Sequence, residues 1–264
     1  MKRRAFAYPY IVWMILFIAV PMLFIFYYAV TISGKLDLSV FWDTLKNPVN
    51  WKLLLDSIVM SLKTTGICLL LGYPIAYILS NMKKSVAGFI SVLFFVPMWM
   101  NFVLRTYAWQ AILNYVLPSI FGSKGTFTGT EWAVLLVLVY DYLPFMVLPL
   151  YNTLSKLDKS LLEASRDLGA NGVQTFGRVI LPLSVPGIVS GITMVFIPAI
   201  TAFTVPVMIG NGNPDFFLYG NIIEIAFKQP TPNYAGGSTL SIILLISVFV
   251  SSLIMNRFDK EQIQ

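Results

Sequence analysis

The stretch EASRDLGANGVQTFGRVILPLSVPG, residues 163–187, separates two long apolar segments and carries charges, small residues and prolines. It opens with charged residues, among them Glu163 and Asp167. Gly169 suits the left-handed backbone position that ends many helices. Asn171 is a residue type that begins helices by accepting a backbone hydrogen bond. The stretch therefore predicts a short helix, a sharp turn and a second short helix.

The residues around this turn predict how its helices begin and what they can touch. Asp158 can cap the first helix, and Pro182 and Pro186 suit the first turn of the next apolar segment, where a missing N–H costs least. Small side chains leave room for the close approach of another protein, at Ala164, Ser165, Gly169 and Ala170. Two interpretations follow: the stretch docks a partner, or it folds back on its own chain.

The composition of the 264 residues is that of a membrane protein. Hydrophobic residues make up 57% and charged residues 11%, whereas soluble domains carry roughly 25% charged residues. Apolar runs of about 18 residues or more predict membrane-spanning helices. The first run is too long for a signal peptide, so we expect an uncleaved span. We predict an all-α integral membrane protein with six transmembrane helices, at about Tyr10–Ile32, Ile58–Leu79, Phe89–Leu113, Trp132–Leu154, Leu183–Ile209 and Thr239–Met255.

The residues that the chain lacks exclude several enzyme classes. It has no histidine and one cysteine, Cys68, which excludes disulfides within the chain, Cys/His zinc sites and His-dependent catalytic triads. The sequence contains no GxxxxGK[ST] loop, so the chain cannot bind ATP phosphates in that way by itself. We therefore expect no catalytic residue, metal or cofactor in this chain.

The basic residues predict the orientation of the spans, because cytoplasmic loops are enriched in Lys and Arg. With a cytoplasmic N-terminus, the inner segments hold 11 of the 18 basic residues, namely Lys2, Arg3, Arg4, Lys83, Lys84, Lys156, Lys159, Arg166, Arg178, Arg257 and Lys260. Both termini are then cytoplasmic, and the 163–187 stretch lies in the cytoplasm between the fourth and fifth spans. The net charge of +6 reflects this topology, so we do not expect nucleic acid as a partner.

The pattern E-A-[A/S]-x-D-x-G-A, followed by L-P, resembles the EAA loop of ABC importer permeases. The matching positions are Glu163, Ala164, Asp167, Gly169, Ala170, Leu181 and Pro182, while Ser165 stands where a second alanine is commoner. In that family the loop forms a coupling helix that seats in a groove of a separate ATPase subunit. The resemblance favours partner docking and implies a type I (MetI-like) permease fold, with one domain over 1–264 and a cytoplasmic coupling loop at 153–182.

Further stretches are similar to the permeases of spermidine/putrescine importers (PotB-type): residues 97–113, 139–170, 181–188 and 220–227. The similarity covers most of the chain from about Ile58 onward. It implies a polyamine permease of the cell membrane that works by alternating access. Its partners would be a second, homologous permease, an ATPase dimer that binds ATP and Mg, and an extracytoplasmic polyamine-binding protein. A permease for another solute (a different organic cation, an amino acid or an iron complex) and a secondary carrier are the alternatives.

A polycationic substrate needs carboxylates or aromatic faces along its path. The candidates for the substrate pathway are Trp99, Tyr107, Asp141, Tyr142 and Glu224. Asp141 is the one carboxylate well inside a predicted span, where an ionisable group usually faces a cavity or a partner; alternatively, it pairs with Arg105. The aromatic residues also fit a belt at the membrane interface. Glu224, in an outer loop, faces either the binding protein or the mouth of the pathway.

Glycines and prolines single out the fifth span. Gly187-x-x-x-Gly191 permits the close approach of another helix. Pro198 and Pro206 interrupt the backbone hydrogen bonds near the far end of the span, which requires a cavity or a neighbour to satisfy the freed groups. We therefore expect the fifth span to line the pathway.

Overall fold

The computed structural model describes residues 8–32, 34–122 and 125–260, and most of them are helical. The α-helices are α1 (Tyr8–Met14), α2 (Val20–Val30), α3 (Ser39–Lys46), α4 (Pro48–Asn81), α5 (Lys84–Trp99), α6 (Phe102–Ala111), α7 (Leu117–Phe121), α8 (Glu131–Leu154), α9 (Lys159–Asp167), α10 (Gly172–Thr175), α11 (Leu181–Ile200), α12 (Thr204–Ile209), α13 (Tyr219–Lys228) and α14 (Tyr234–Lys260). Short π-helical segments cover Ile15–Ala19, Ile112–Val116 and Phe176–Ile180, and a 3-10 turn covers Pro214–Phe216. One antiparallel pair joins β1 (Thr31–Ile32) and β2 (Lys35–Leu36), with Thr31 opposite Leu36.

Six apolar segments of the described chain are long enough to cross a membrane if one bent helix pair counts as a single span; otherwise there are five. We number them span 1 (Pro9–Val30), span 2 (Pro48–Asn81), span 3 (Lys84–Trp99 with Phe102–Phe121), span 4 (Glu131–Leu154), span 5 (Gly172–Ile200) and span 6 (Tyr234–Met255). The prediction of an all-α membrane protein is confirmed. The basic N-terminal residues Lys2, Arg3 and Arg4 lie outside the described residues.

Span 3 differs from the single helix predicted over Phe89–Leu113. Its two helices meet at an angle of 91°. Pro97 has no N–H, and the Asn101 side chain accepts hydrogen bonds from the backbone N–H groups of Val103 and Leu104 at 2.9 and 3.3 Å. Asn101 therefore acts as an N-cap that starts a new helix. The prediction of one uninterrupted helix was wrong, because mean hydropathy does not register a cap inside an apolar run.

Span 5 begins earlier than predicted. Its helix runs without a gap from Gly172 to Ile200, so the second short helix of the 163–187 stretch is the beginning of span 5. Pro182 lies in the first turn of the α-helix Leu181–Ile200, as predicted, whereas Pro186 lies inside that helix. The π-helical segment Phe176–Ile180 ends two residues before Pro182. Its wider turn accommodates a residue that lacks the N–H.

The far end of span 5 is broken between Pro198 and Pro206, where the sequence predicted interrupted backbone hydrogen bonds. The helix stops at Ile200, and α12 starts at Thr204 after three non-helical residues. Pro198 and Pro206 therefore lie on opposite sides of a true break. Backbone groups freed by such a break need partners at membrane depth, and the partners are described with the site below.

The other spans need only changes in length. Span 2 begins at Pro48 rather than Ile58, because Pro48 fits the first helical position and Asn47 accepts a hydrogen bond from the Val49 N–H at 3.0 Å. Spans 1, 4 and 6 lie close to their predicted limits. The extra turns of span 2 extend it toward α13, which contributes to the site at that end.

Spans 2, 4 and 5 form the packed core of the bundle. At Gly187 an added Cβ would lie 2.6 Å from Thr153 Oγ1 and 3.1 Å from the Pro149 carbonyl oxygen. At Gly191 it would lie 2.6 Å from the sulfur of Met146. Spans 4 and 5 touch because these two positions have no side chain, so the close approach predicted from Gly-x-x-x-Gly is confirmed.

Candidate functional site

The first helix of the predicted coupling loop, α9, begins at a local cap. The Ser160 N–H donates to Oδ1 of Asp158 at 2.9 Å, as the sequence predicted. The same hydrogen bond holds the pKa of the Asp158 carboxyl below its usual value, because the N–H favours the charged form. The cap fixes where the helix starts and therefore which side chains share each of its faces.

The turn after α9 has the predicted geometry. Gly169 has φ = +82°, in the left-handed region, and the Ala170 N–H donates to the Ser165 carbonyl at 3.1 Å. The next helix begins with a capping box. The Gln174 N–H donates to Asn171 Oδ1, and the Asn171 N–H donates to Gln174 Oε1, each at 2.9 Å. Local hydrogen bonds thus fix the direction of the chain on both sides of the turn.

Aromatic contacts attach this turn to the membrane bundle. The Phe176 ring packs edge-on against the rings of Tyr73 and Tyr77 on span 2, with centroids 5.6 and 6.0 Å apart. The hydroxyls of Ser165 and Thr175 lie 3.1 Å apart and join α9 to the beginning of span 5. We call residues 155–180 the coupling segment. It packs against span 2 and continues directly into span 5.

Two clefts flank the coupling segment. Most of the residues predicted to dock the ATPase line one cleft or the other. A cleft of about 760 Å³ is lined by small residues, Ala164, Ser165, Gly169 and Ala170, together with Leu168. Leu168 is 89% exposed, and Val173 is similarly exposed. A smaller cleft of about 220 Å³ on the other side is lined by Glu163, Arg166 and the end of span 2. Asp167 is exposed and lines neither cleft.

The five predicted pathway residues lie in separate places. Trp99 and Tyr107 are exposed on the two arms of span 3. Asp141 and Tyr142 are buried in span 4, and Glu224 lies on α13, where Lys228 donates to its Oε1 at 2.6 Å. Their role along a substrate path stays a prediction, and only the buried pair and Glu224 belong to structured polar sites.

Asp141 forms an ion pair with Arg105 inside the bundle. Arg105 Nε lies 2.7 Å from Asp141 Oδ1, and the side chains are 10% and 0% exposed. The contact is ionic without well-aligned hydrogen-bond geometry. Arg105 also donates from Nη1 to the Pro97 carbonyl at 2.9 Å and lies over the Phe102 and Tyr140 rings. The pairing that the sequence offered as an alternative role for Asp141 is therefore present.

The broken end of span 5 is satisfied by neighbouring elements. Tyr142 on span 4 donates from its hydroxyl to the Pro198 carbonyl at 3.2 Å, so this predicted pathway residue also supports the break. Asn221 on α13 donates from Nδ2 to the Phe203 carbonyl at 2.6 Å. A Cβ on Gly220 would lie 2.7 Å from the Thr201 carbonyl oxygen, so the backbones of α13 and the break are in direct contact.

Sequence reasoning did not identify the residues that hold this break. Besides Asn221, Ser57 on span 2 accepts a hydrogen bond from the Tyr219 N–H at 2.7 Å, and both residues are fully buried. The available signal in the sequence was a Gly-Asn pair, Gly220 and Asn221, at the start of a short amphipathic helix that follows a proline-rich span. It carries no information about which distant carbonyl the asparagine will bind.

Solved structures with the same fold are ABC importers. The chain superposes on a chain of the bacterial alginate ABC transporter, in a complex with its alginate-pentasaccharide-bound periplasmic protein, with a TM-score of 0.76 at 14% identity over 98% of this chain and 94% of that one. It superposes on a chain of the inward-facing methionine transporter MetNI with a TM-score of 0.62 at 20% identity over 82% and 99% of the two chains. The predicted type I ABC importer permease fold is confirmed.

Curated relatives and a family model cover most of the chain. The spermidine/putrescine transport system permease protein PotB of Haemophilus influenzae is 35% identical in an alignment 262 residues long, which covers 94% of this chain and 91% of that protein. The inner membrane ABC transporter permease protein YdcU of Escherichia coli is 29% identical over 227 residues, or 78% and 71% of the two chains. These relatives are permease components rather than enzymes, in agreement with the sequence. Residues 69–263 match the model of the binding-protein-dependent transport system inner membrane component, and the chain, a multi-pass inner-membrane protein, belongs to that family.

Proposed function

We propose that this chain is the permease subunit of an ATP-driven importer that moves polyamines, spermidine or putrescine, into the cytoplasm. The observation that carries the choice of cargo is the 35% identity to a spermidine/putrescine permease across 94% of the chain. The coupling segment supports the energy source, because an exposed apolar side chain beside a small-residue cleft suits docking to a separate ATPase.

The proposed orientation places the coupling segment and both chain termini in the cytoplasm. The segment packs against the end of span 2 through Tyr77, and Lys83 and Lys84 follow that end directly. Arg166 and Arg178 lie on the segment itself. This concentration of basic residues at one end of the bundle supports a cytoplasmic location. The opposite end, with α13 and the break in span 5, then faces the outside.

The proposed partners follow from this orientation. An ATPase dimer, which binds ATP and Mg, docks on the coupling loop at 153–182, and a second homologous permease completes the membrane channel. An extracytoplasmic polyamine-binding protein delivers the cargo at the opposite end. The alginate transporter, solved with its periplasmic protein bound, gives a precedent for such an assembly. The bilayer surrounds the spans, and no nucleic acid is involved.

Alternating access requires that a movement of the ATPase be transmitted to the membrane spans. The helix that begins directly after the turn continues through span 5 for 29 residues, or about 44 Å at the rise of an α-helix. A displacement of the turn therefore moves span 5 as one rod down to the break at Ile200. ATP shifts the conformational equilibrium only if it binds the outward-open arrangement more tightly.

Uptake of radiolabelled spermidine and putrescine by cells that lack this chain tests the proposal. We expect uptake to be lost and to return when the gene is restored. Uptake of a labelled amino acid and of an iron complex in the same cells serves as a control for cargo. Polyamine uptake that is unchanged by the deletion, together with loss of one of the other solutes, would reassign the cargo while leaving the permease fold intact.

Gly169→Val should weaken coupling because it strains the backbone of the turn. A Cβ at Gly169 meets no atom within 4 Å, so the cost arises from φ = +82°, at about 1–2 kcal/mol for a residue with a side chain. We expect the native turn to become about fivefold to thirtyfold less populated, and spermidine uptake to fall accordingly. Gly172→Ala is the matched control, because Gly172 also has open space but does not have positive φ. Equal uptake by the two variants would contradict the prediction.

A further inference from the structure

A groove lies at the outer end of the bundle between the break in span 5, α13 and span 6. It has a volume of about 510 Å³, within the range of small-molecule sites. One wall consists of the span 6 side chains Leu244, Leu245 and Val248, and Phe203 contributes an aromatic ring from the break. We call it the outer groove. Its shape and apolar walls suit a molecule with an aliphatic body.

The described residues that line the outer groove include one acidic side chain, Glu224, and one basic side chain, Lys228. Glu224 lines it with a carboxylate whose side chain is 22% exposed. The helix of span 5 also ends here, and a helix C-terminus carries a partial negative charge, although hydrogen bonds to its carbonyls reduce that charge. The Thr201 hydroxyl donates to the Ile197 and Pro198 carbonyls of that last turn at 3.3 and 3.1 Å, so Glu224 is the group in the groove that can bind a cation.

Lys228, a residue of the chain itself, shows which kind of chemical group Glu224 can bind. The Lys228 ammonium lies 2.6 Å from Glu224 Oε1, and the lysine side chain is 74% exposed. A lysine side chain is a primary amine on four methylene groups, so the carboxylate at the rim binds an alkylammonium group. An exposed ion pair of this kind is weak and easily exchanged. Lys228 can therefore leave Glu224 when another cation arrives.

We propose that the outer groove binds a primary alkylammonium substrate, with its ammonium group replacing Lys228 on Glu224 and its methylene chain along Leu244 and Val248. Resting on the proposed function, this assigns the groove to the soluble polyamine, which meets it before passing the break in span 5. The ammonium of phosphatidylethanolamine shares the chemistry, and the experiments below separate the two sources. Lys228 acts as a competitor that the substrate displaces.

The two partners of the ion pair should have opposite effects on spermidine uptake by the complete complex in proteoliposomes. Glu224→Gln removes the carboxylate and should raise the half-saturating spermidine concentration about tenfold, as for a lost charged hydrogen bond. Lys228→Met keeps the aliphatic stem, removes the competitor and should lower that concentration. Glu131→Gln is the matched control, because Glu131 pairs with Lys63 at 2.5 Å outside the groove, and it should behave as the wild type. Similar losses in both groove variants, or no change in either, would overturn the proposal.

Occupancy of the groove can be measured without transport. Ser241 lines the groove and is partly exposed, whereas Cys68 is fully buried, so Ser241→Cys provides a specific site for a maleimide. In phosphatidylcholine nanodiscs, spermidine should slow labelling of the complex, and Glu224→Gln should remove that protection. Protection by phosphatidylethanolamine alone, with none from spermidine, would assign the groove to lipid and overturn the substrate site.

The two measurements also separate the groove from the proposed function. Protection by spermidine without any spermidine uptake would support the alkylammonium site and reject polyamine transport. Spermidine uptake without protection at Ser241→Cys, and without an effect of Glu224→Gln, would support polyamine transport and overturn the groove as its site.

Discussion

Leu168→Glu is expected to lower spermidine uptake about thirtyfold or more, because truncation or disruption of a central contact residue costs 2 kcal/mol or more. Leu168 is 89% exposed, although it is a large apolar side chain on a polar segment. It lines the small-residue cleft of the coupling segment beside Gly169 and Ala170. If an ATPase surface covers this cleft, a carboxylate at Leu168 must lose its water without gaining a partner. The chain should still insert into the membrane, since Leu168 contacts none of the packed core.

The matched control for Leu168→Glu is Ser160→Glu. It adds the same charge to the first turn of α9, the helix that ends directly before Leu168, and there the helix dipole stabilises a carboxylate. We expect Ser160→Glu to keep both uptake and co-purification of the ATPase. Membrane extraction and gel filtration check that each variant inserts. An ATPase that co-purifies normally with Leu168→Glu, at full uptake, would show that docking uses another surface.

The coupling segment could be predicted almost completely because its determinants are local. Asp158, Gly169 and Asn171 each act on backbone groups within three residues of themselves, and such chemistry is encoded in short sequence spacing. The predicted boundary between the coupling segment and span 5 was wrong. Pro182 reads as the start of a helix in the sequence, whereas the π-helical turn before it lets the helix continue.

The break in span 3 was not predicted, and in span 5 the prolines indicated an interruption without indicating which residues would bind its freed carbonyls. Mean hydropathy is averaged over an apolar run and does not register a break within it. The residues at a break can stay apolar when side chains from other elements bind its freed carbonyls. Phe203 is the clearest case, because its carbonyl is bound by Asn221, 18 residues further on. The Arg105–Asp141 pair was one of two sequence alternatives, and only the fold brings these residues within 2.7 Å. Contacts between residues far apart in the sequence therefore determine these features, and the pattern of apolar residues along the chain does not predict such contacts.

Arg105→Leu is expected to destabilise the protein by about 3–5 kcal/mol, because it leaves one member of a buried ion pair without its partner. The Asp141 carboxylate has no hydrogen-bond donor of its own among the described residues, so the loss of Arg105 leaves the charge uncompensated. Asp141→Leu should cost less. The guanidinium then keeps the Pro97 carbonyl and the faces of two aromatic rings, which still favour a cation. Thermal unfolding of the purified complex measures this asymmetry.

The double variant Arg105→Leu/Asp141→Leu separates a structural role of Asp141 from a role in transport. Because apolar residues of similar size often replace a buried ion pair without loss, we expect the double variant to be more stable than Arg105→Leu alone. A coupling energy above about 0.5 kcal/mol in the double-mutant cycle is expected for residues in contact. Uptake should recover with stability if the pair only joins span 3 to span 4. A stable double variant without uptake would place the Asp141 carboxylate on the substrate path, since packing would be restored while the charge would still be missing.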